Sequence, residues 1–160
     1  MIDRRPVDPV PLLTEVRAVY AEVDARPVER ACIRRTECCQ FKLTGSTPLL
    51  TRGEAMVAAK ALRAAGRTKL PESINPQTGA CPMLDNRGKC IIYKDRPFGC
   101  RTHFCEAAGG PYARREVLDL IRRLEVVDEK LGGDGSHPLV RAMDQVLGKD
   151  INRSASRPGG

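Results

Sequence analysis

The sequence predicts one mainly α-helical domain with a small, loop-rich, cysteine-bearing β-hairpin segment, organised around a metal site. Three observations predict it. Apolar residues recur at helical spacing in four stretches, while only one short stretch reads as paired strands. The seven cysteines fall in two groups: Cys32, Cys38 and Cys39 in ACIRRTECCQF, then Cys81, Cys90, Cys100 and Cys105 in CPMLDNRGKCIIYKDRPFGCRTHFC. Finally, 160 residues, 41% hydrophobic and 29% charged, suit a single soluble domain with its own core. Aromatic residues make up only 4% and tryptophan is absent, so the core must rely on Leu, Val, Ile and Ala. A metal site would offset that shortfall, because ligand binding by the folded form adds directly to folding free energy.

The domain spans residues 1–148, with a cysteine core at 32–105 and helical flanks. Pro6, Pro9 and Pro11 are expected to hold the first residues out of helix. A first helix then fits Leu12 to Ala25, where Leu12, Val16, Val19 and Val23 form a stripe, and Pro27 ends it. The first cysteine group follows on a loop or short turn. Thr51-Arg52-Gly53-Glu54 reads as a capping box that starts an alanine-rich helix through Ala65, with Gly66 as its left-handed stop. Pro71 to Gly79 reads as a loop.

Cys81 to Tyr93 reads as the hairpin, with CPML and CIIY flanking the turn Asp85-Asn86-Arg87-Gly88. After Arg96-Pro97 the chain is expected to turn again through Gly99, Cys100 and Cys105. Gly109-Gly110-Pro111 introduces a long helix ending near Leu131, with the stripe Val117, Leu120, Ile121, Leu124, Val127 and Leu131. Gly132-Gly133 stops it, and Ser136 with Pro138 starts a last short helix through Leu147. Residues 149–160 are polar and turn-rich and read as a disordered tail.

The opening MIDRRPVDPVPLL lacks the apolar stretch of a secretory signal, and no run approaches the roughly 18 apolar residues a membrane helix needs. The expectation is a cytoplasmic, soluble protein with no membrane partner. Net charge is +7, and 20 of the 27 basic residues are arginine. That balance is compatible with nucleic acid, and Arg30, Arg34 and Arg35 beside Cys32 make a local basic patch. It is not the favoured reading. The other arginines are scattered among acidic residues, without the aromatics that stack bases.

Clustered thiols in such a setting point to metal ligation or redox chemistry rather than disulfide stapling. A thiolate is a soft ligand, so zinc and iron–sulfur clusters are the expected occupants, each needing four ligands. The spacing is C-x5-C-C, then x41, then C-x8-C-x9-C-x4-C, with no C-x2-C knuckle, which disfavours a conventional zinc ribbon. The candidate metal residues are therefore Cys32, Cys38, Cys39, Cys81, Cys90, Cys100 and Cys105. Adjacent residues in extended chain point oppositely, so Cys38 and Cys39 are expected to divide, one ligating and the other packing or serving a second site. For any one of the seven the bland alternative is a buried small hydrophobe. His103 is either an imidazole ligand or a hydrogen-bonded structural residue, and His137 begins a helix in an ordinary role. Arg96 and Arg101 hold thiolate or ligand charge, or in the case of Arg96 cap a turn. Tyr93 is expected in the core.

At Cys32 and Cys38-Cys39, at Cys81-Pro82-Met83-Leu84, and from Cys90 through Tyr93, Arg96-Pro97 and Cys100-Arg101, the sequence resembles the YkgJ-type cysteine-cluster family. That family is described as a zinc- or iron-chelating domain and carries a C-x2-C-x2-C-C start ahead of the later cysteine motifs. The resemblance implies a second cysteine at position 35, where this chain has Arg35. Cys105, or His103, then stands as the replacement ligand. Related cysteine segments in flagellin lysine methylases imply an iron–sulfur cluster.

The leading reading is a metal-binding protein holding an iron–sulfur cluster, of the 4Fe-4S type, or zinc, in a structural, electron-transfer or redox-sensing role. Iron–sulfur is preferred because thiols outnumber a single zinc site and there are only two histidines. One alternative is an accessory component or enzyme of a lysine-methylation-like protein-modification system, acting with a protein partner. The chain shows no glycine-rich cofactor loop and no assembled nucleophile set, so it is not expected to be an enzyme alone. The other alternative is a nucleic-acid-binding metal domain.

Overall fold

A computed structural model describes residues 6–26, 47–102 and 112–155, the side chains of 149–155 excepted. Helix α1 (Pro9–Ala25) starts three residues before the sequence expectation. Pro9 and Pro11 lie in its first turn, where the missing N–H would have no intrahelical acceptor in any case. Asp8 caps it, its carboxylate accepting from Val10 N at 3.0 Å. Arg26 ends it in an extended conformation, as the residue before a proline must. The buried face is Leu13, Val16, Val19, Tyr20 and Val23, so Leu13 takes the place expected of Leu12.

Strand β1 (Leu49–Leu50) pairs antiparallel with β2 (His137–Pro138), Leu49 opposite Pro138 and Leu50 opposite His137. This two-stranded sheet has no local sequence signal. His137 therefore sits in a strand just before the last helix, its Nε2 2.6 Å from Asp134 Oδ1.

Helix α2 (Arg52–Ala64) forms as the capping box requires: Thr51 Oγ1 accepts from Glu54 N at 3.4 Å, and Glu54 Oε2 accepts from Thr51 N at 3.0 Å. It ends where Gly66 adopts φ +80°, with Gly66 N donating to Arg63 O and Arg67 N to Leu62 O. Helix α4 (Arg114–Lys130) closes the same way on Gly132, φ +76°, with Gly133 N donating to Asp128 O. The expected hairpin is reduced to one bridge, Leu84 to Cys90, around a turn in which Asp85 Oδ1 accepts from Arg87 N and Lys89 N. A short 3-10 turn, Tyr93–Asp95, follows. The chain after Pro97 is not an open turn but helix α3 (Phe98–Thr102). Helix α5 (Leu139–Ala155) continues past Leu147, where the sequence reading ended it.

Helix α2 lies between two cores. Ala55, Ala58, Ala59 and Leu62 pack with Cys81, Met83, Leu84 and Ile92 and with Leu139, Met143 and Leu147 of α5. On its other side Val57 packs with α1, α4 and Phe98. Helices approach closely at Gly53, where an added Cβ would fall 2.8 Å from Val127 Cγ1 and 3.0 Å from Val16 Cγ2. Alanine's small volume along α2 makes this double packing feasible without large aromatics.

Buried Asp128 joins α4 to the start of α2, accepting from Arg52 N at 2.8 Å and from Gly135 N at 2.9 Å. A Cβ on Gly133 would lie 2.2 Å from its Oδ1. Gly133→Ala is therefore expected to displace that carboxylate and cost about 1–3 kcal/mol as overpacking. Urea denaturation checks this, and an unchanged midpoint would count against it.

Candidate metal centre

Three of the seven candidate thiols lie within the described residues. Cys81 is 6% exposed and belongs to the core between α2 and α5, the environment of a packed small hydrophobe. Cys90, half-buried, packs against the same cluster through its bridge to Leu84. Cys100 is half-buried on α3, whose Phe98 belongs to the other core. Cys32, Cys38, Cys39, Cys105 and His103 fall outside the described residues. Among the described residues no three His, Cys, Asp or Glu side chains form a group that could hold a metal ion. The donor chemistry nevertheless fits a soft metal, since the residues along these segments are thiols.

The structure also shows how the ends of the cysteine-bearing segments are anchored. Pro48, just after residues 27–46, packs on α3: a Cβ added at Gly99 would fall 3.3 Å from Pro48 Cβ. Tyr112 N donates to Thr102 O at 2.9 Å, bringing together the two ends that flank residues 103–111. Arg26, just before residues 27–46, reaches Glu116 O and Asp119 Oδ2 at 2.5 Å each on the first turns of α4.

A buried polar cluster underlies Cys100. Glu54 is 2% exposed, and its Oε1 accepts from Phe98 N at 2.8 Å and from Tyr20 OH at 3.2 Å. The same carboxylate thus completes the capping box of α2 and caps the first residue of α3. Arg101, also buried, donates through Nη1 to Asp24 at 2.5 Å, through Nε to Arg96 O at 2.8 Å and through Nη2 to Lys94 O at 2.6 Å. Its guanidinium lies 4.3 Å from the centre of the Tyr20 ring. Burial pushes the Glu54 carboxyl above its ordinary range, against the hydrogen bonds from Thr51, Phe98 and Tyr20. Burial, then the Glu54 charge, pushes the Tyr20 hydroxyl well up; Arg101 opposes this and Cys100 adds a small push.

Arg101 is thus engaged by Asp24 and two carbonyls on its own side of the fold. Arg96 stacks on Tyr93, 4.2 Å from the ring centre, beside a turn as the bland reading had it. Tyr93 is exposed, not core. Sequence reasoning missed Tyr20 and Asp24 and gave Glu54 only its capping role. The available signal was Tyr20 itself, a polar tip on an otherwise aliphatic stripe.

Among the described residues no helix is long and apolar enough to cross a membrane. A family model described as "CxxCxxCC: putative zinc- or iron-chelating domain" matches residues 31–119, more than half of the chain and a wider span than the cysteine motifs alone. No curated protein and no solved structure matches the chain.

Proposed function

Because the chain belongs to this CxxCxxCC family of zinc- or iron-chelating domains, we propose that it binds its metal as an iron–sulfur cluster held by clustered thiolates. The observation that carries this is the donor set: seven cysteines against two histidines, with Cys90 and Cys100 only part-buried among the described residues. The ligands are drawn from Cys32, Cys38, Cys39, Cys81, Cys90, Cys100 and Cys105, with Cys105 replacing the thiol missing at Arg35. When bound, such a cluster supplies one-electron chemistry and ties together chain that few large hydrophobes hold. The anchoring of both undescribed segments around α3 and the start of α4 supports a site shared between the two cysteine groups. Reduced thiols suit a cytoplasmic setting.

Protein purified without oxygen is expected to be brown, with a broad visible absorption band and iron and sulfide in matching amounts. A colourless, zinc-loaded sample would assign the same thiols to zinc instead, and a sample with neither metal would overturn metal binding. Stripping the metal with a chelator under reducing conditions is expected to speed amide exchange in residues 32–105 before the flanking helices. Unchanged exchange there after verified removal would show that the metal does not order the segment.

A further inference from the structure

We propose that Glu54 and Arg101 are positioning residues for Cys100, clamping the short helix that carries it from both ends so that its thiol is held at a fixed place. Only the metal arm of the test below rests on the metal-binding reading above. Helix α3 has five residues, far too few to be stable by itself. It persists because its ends are tied to the rest of the fold. At its start, Phe98 N donates to the buried Glu54 carboxylate, which Tyr20 and Thr51 also engage. One residue after Cys100, Arg101 spends its planar fork on three acceptors: Asp24 of α1 and the carbonyls of Lys94 and Arg96 in the preceding turn.

Tyr20 links the two clamps, donating to Glu54 while its ring faces Arg101. The side-chain anchors, Asp24, Tyr20 and Glu54, all come from α1 and α2. Cys100 is therefore placed by groups more than 40 residues away in sequence: 44 residues separate Glu54 from Phe98, and 77 separate Asp24 from Arg101. The capping box of α2 accounts for one oxygen of Glu54, and the other is turned to Phe98 N and the Tyr20 hydroxyl. Burying an arginine and a glutamate is costly unless their polar atoms find partners, and among the described residues no buried side-chain nitrogen or oxygen lacks one.

The decisive variant is Arg101→Lys, which keeps the positive charge beside Cys100 and removes the fork. Asp128→Asn serves as the control, since Asp128 is equally buried but joins α4 to the start of α2. Both full-length proteins and the wild type are stripped of metal, and the alkylation rates of Cys100 and Cys81 are followed peptide by peptide. They are also loaded with Co²⁺, whose thiolate charge-transfer band reports ligand geometry. Arg101→Lys is expected to raise the Cys100 rate relative to Cys81 by roughly threefold or more, through local opening of α3, and to alter the cobalt band. Asp128→Asn is expected to lower the melting temperature and leave both readouts as in the wild type. An unchanged Cys100 ratio in Arg101→Lys, or the same change in both variants, would overturn the positioning role. Should the wild type take up no cobalt, the metal reading fails alone and the alkylation ratio still decides the positioning.

Discussion

Replacing Cys38 and Cys39 together with serine is expected to abolish metal binding, even though Cys81, Cys90, Cys100 and Cys105 remain. The reason is where the second group sits. Cys81 is sealed in the core beneath α2 and α5, and Cys90 packs beside it. Cys100 rides on α3, whose Phe98 belongs to the opposite core, near Tyr20. Among the described residues these thiols do not assemble a three-ligand group. A four-ligand site can then hold at most two of them, and even with Cys105 it needs a donor from the first group, which the Cys38-Cys39 pair offers. Removing both thiols takes away the ligand whichever of the two supplies it, and leaves a tetrahedral centre incomplete. Elemental analysis of the double variant should read background metal, while its helical circular dichroism persists because α1, α2, α4 and α5 pack through aliphatic cores. A full complement of metal in that variant would refute the shared site.

The features legible in the sequence are those governed by local rules. Thr51 and Glu54 stand three residues apart, Gly66 and Gly132 supply the left-handed stops, and the stripe Val117, Leu120, Leu124, Val127 repeats at helical spacing. The same rules misplaced the start of α1, because prolines were read as breakers where the first turn tolerates them. The rest is non-local. A two-residue strand pairing Leu49 with Pro138 carries no periodicity, and its energy comes from contacts nearly 90 residues apart in sequence. The cysteine motifs and the family match agreed on the segment, 32–105 within 31–119. Motif spacing could not show that Cys81 packs between α2 and α5 while Cys100 rides on α3 beside the other core. Nor could it reveal that the glutamate of a capping box also holds a second helix. That role depends on Phe98 N arriving 44 residues later.

Glu54→Ala should therefore be far costlier than loss of a helix cap. Removing the carboxylate strands Phe98 N, Thr51 N and the Tyr20 hydroxyl in a buried space. Each orphaned donor costs about 1–3 kcal/mol, and the sum is expected near 3–5 kcal/mol after relaxation, against about 1 kcal/mol for an ordinary cap. Chemical denaturation measures this, and a loss of only a cap's size would show that α3 is held by Arg101 alone. The pH dependence gives a second, independent reading. Burial raises the Glu54 carboxyl in the folded state above its ordinary value of 4.5, so the folded protein holds that proton more tightly than the unfolded chain does. The stability this contributes is full below 4.5 and is lost as pH rises through the higher folded value. Glu54→Gln carries no such proton. The stability of the wild type relative to Glu54→Gln is thus expected to fall as pH rises from 4.5 toward neutrality. A relative stability that climbs with pH instead would mean that the donors around the carboxylate outweigh its burial, and that Glu54 clamps α3 as an anion.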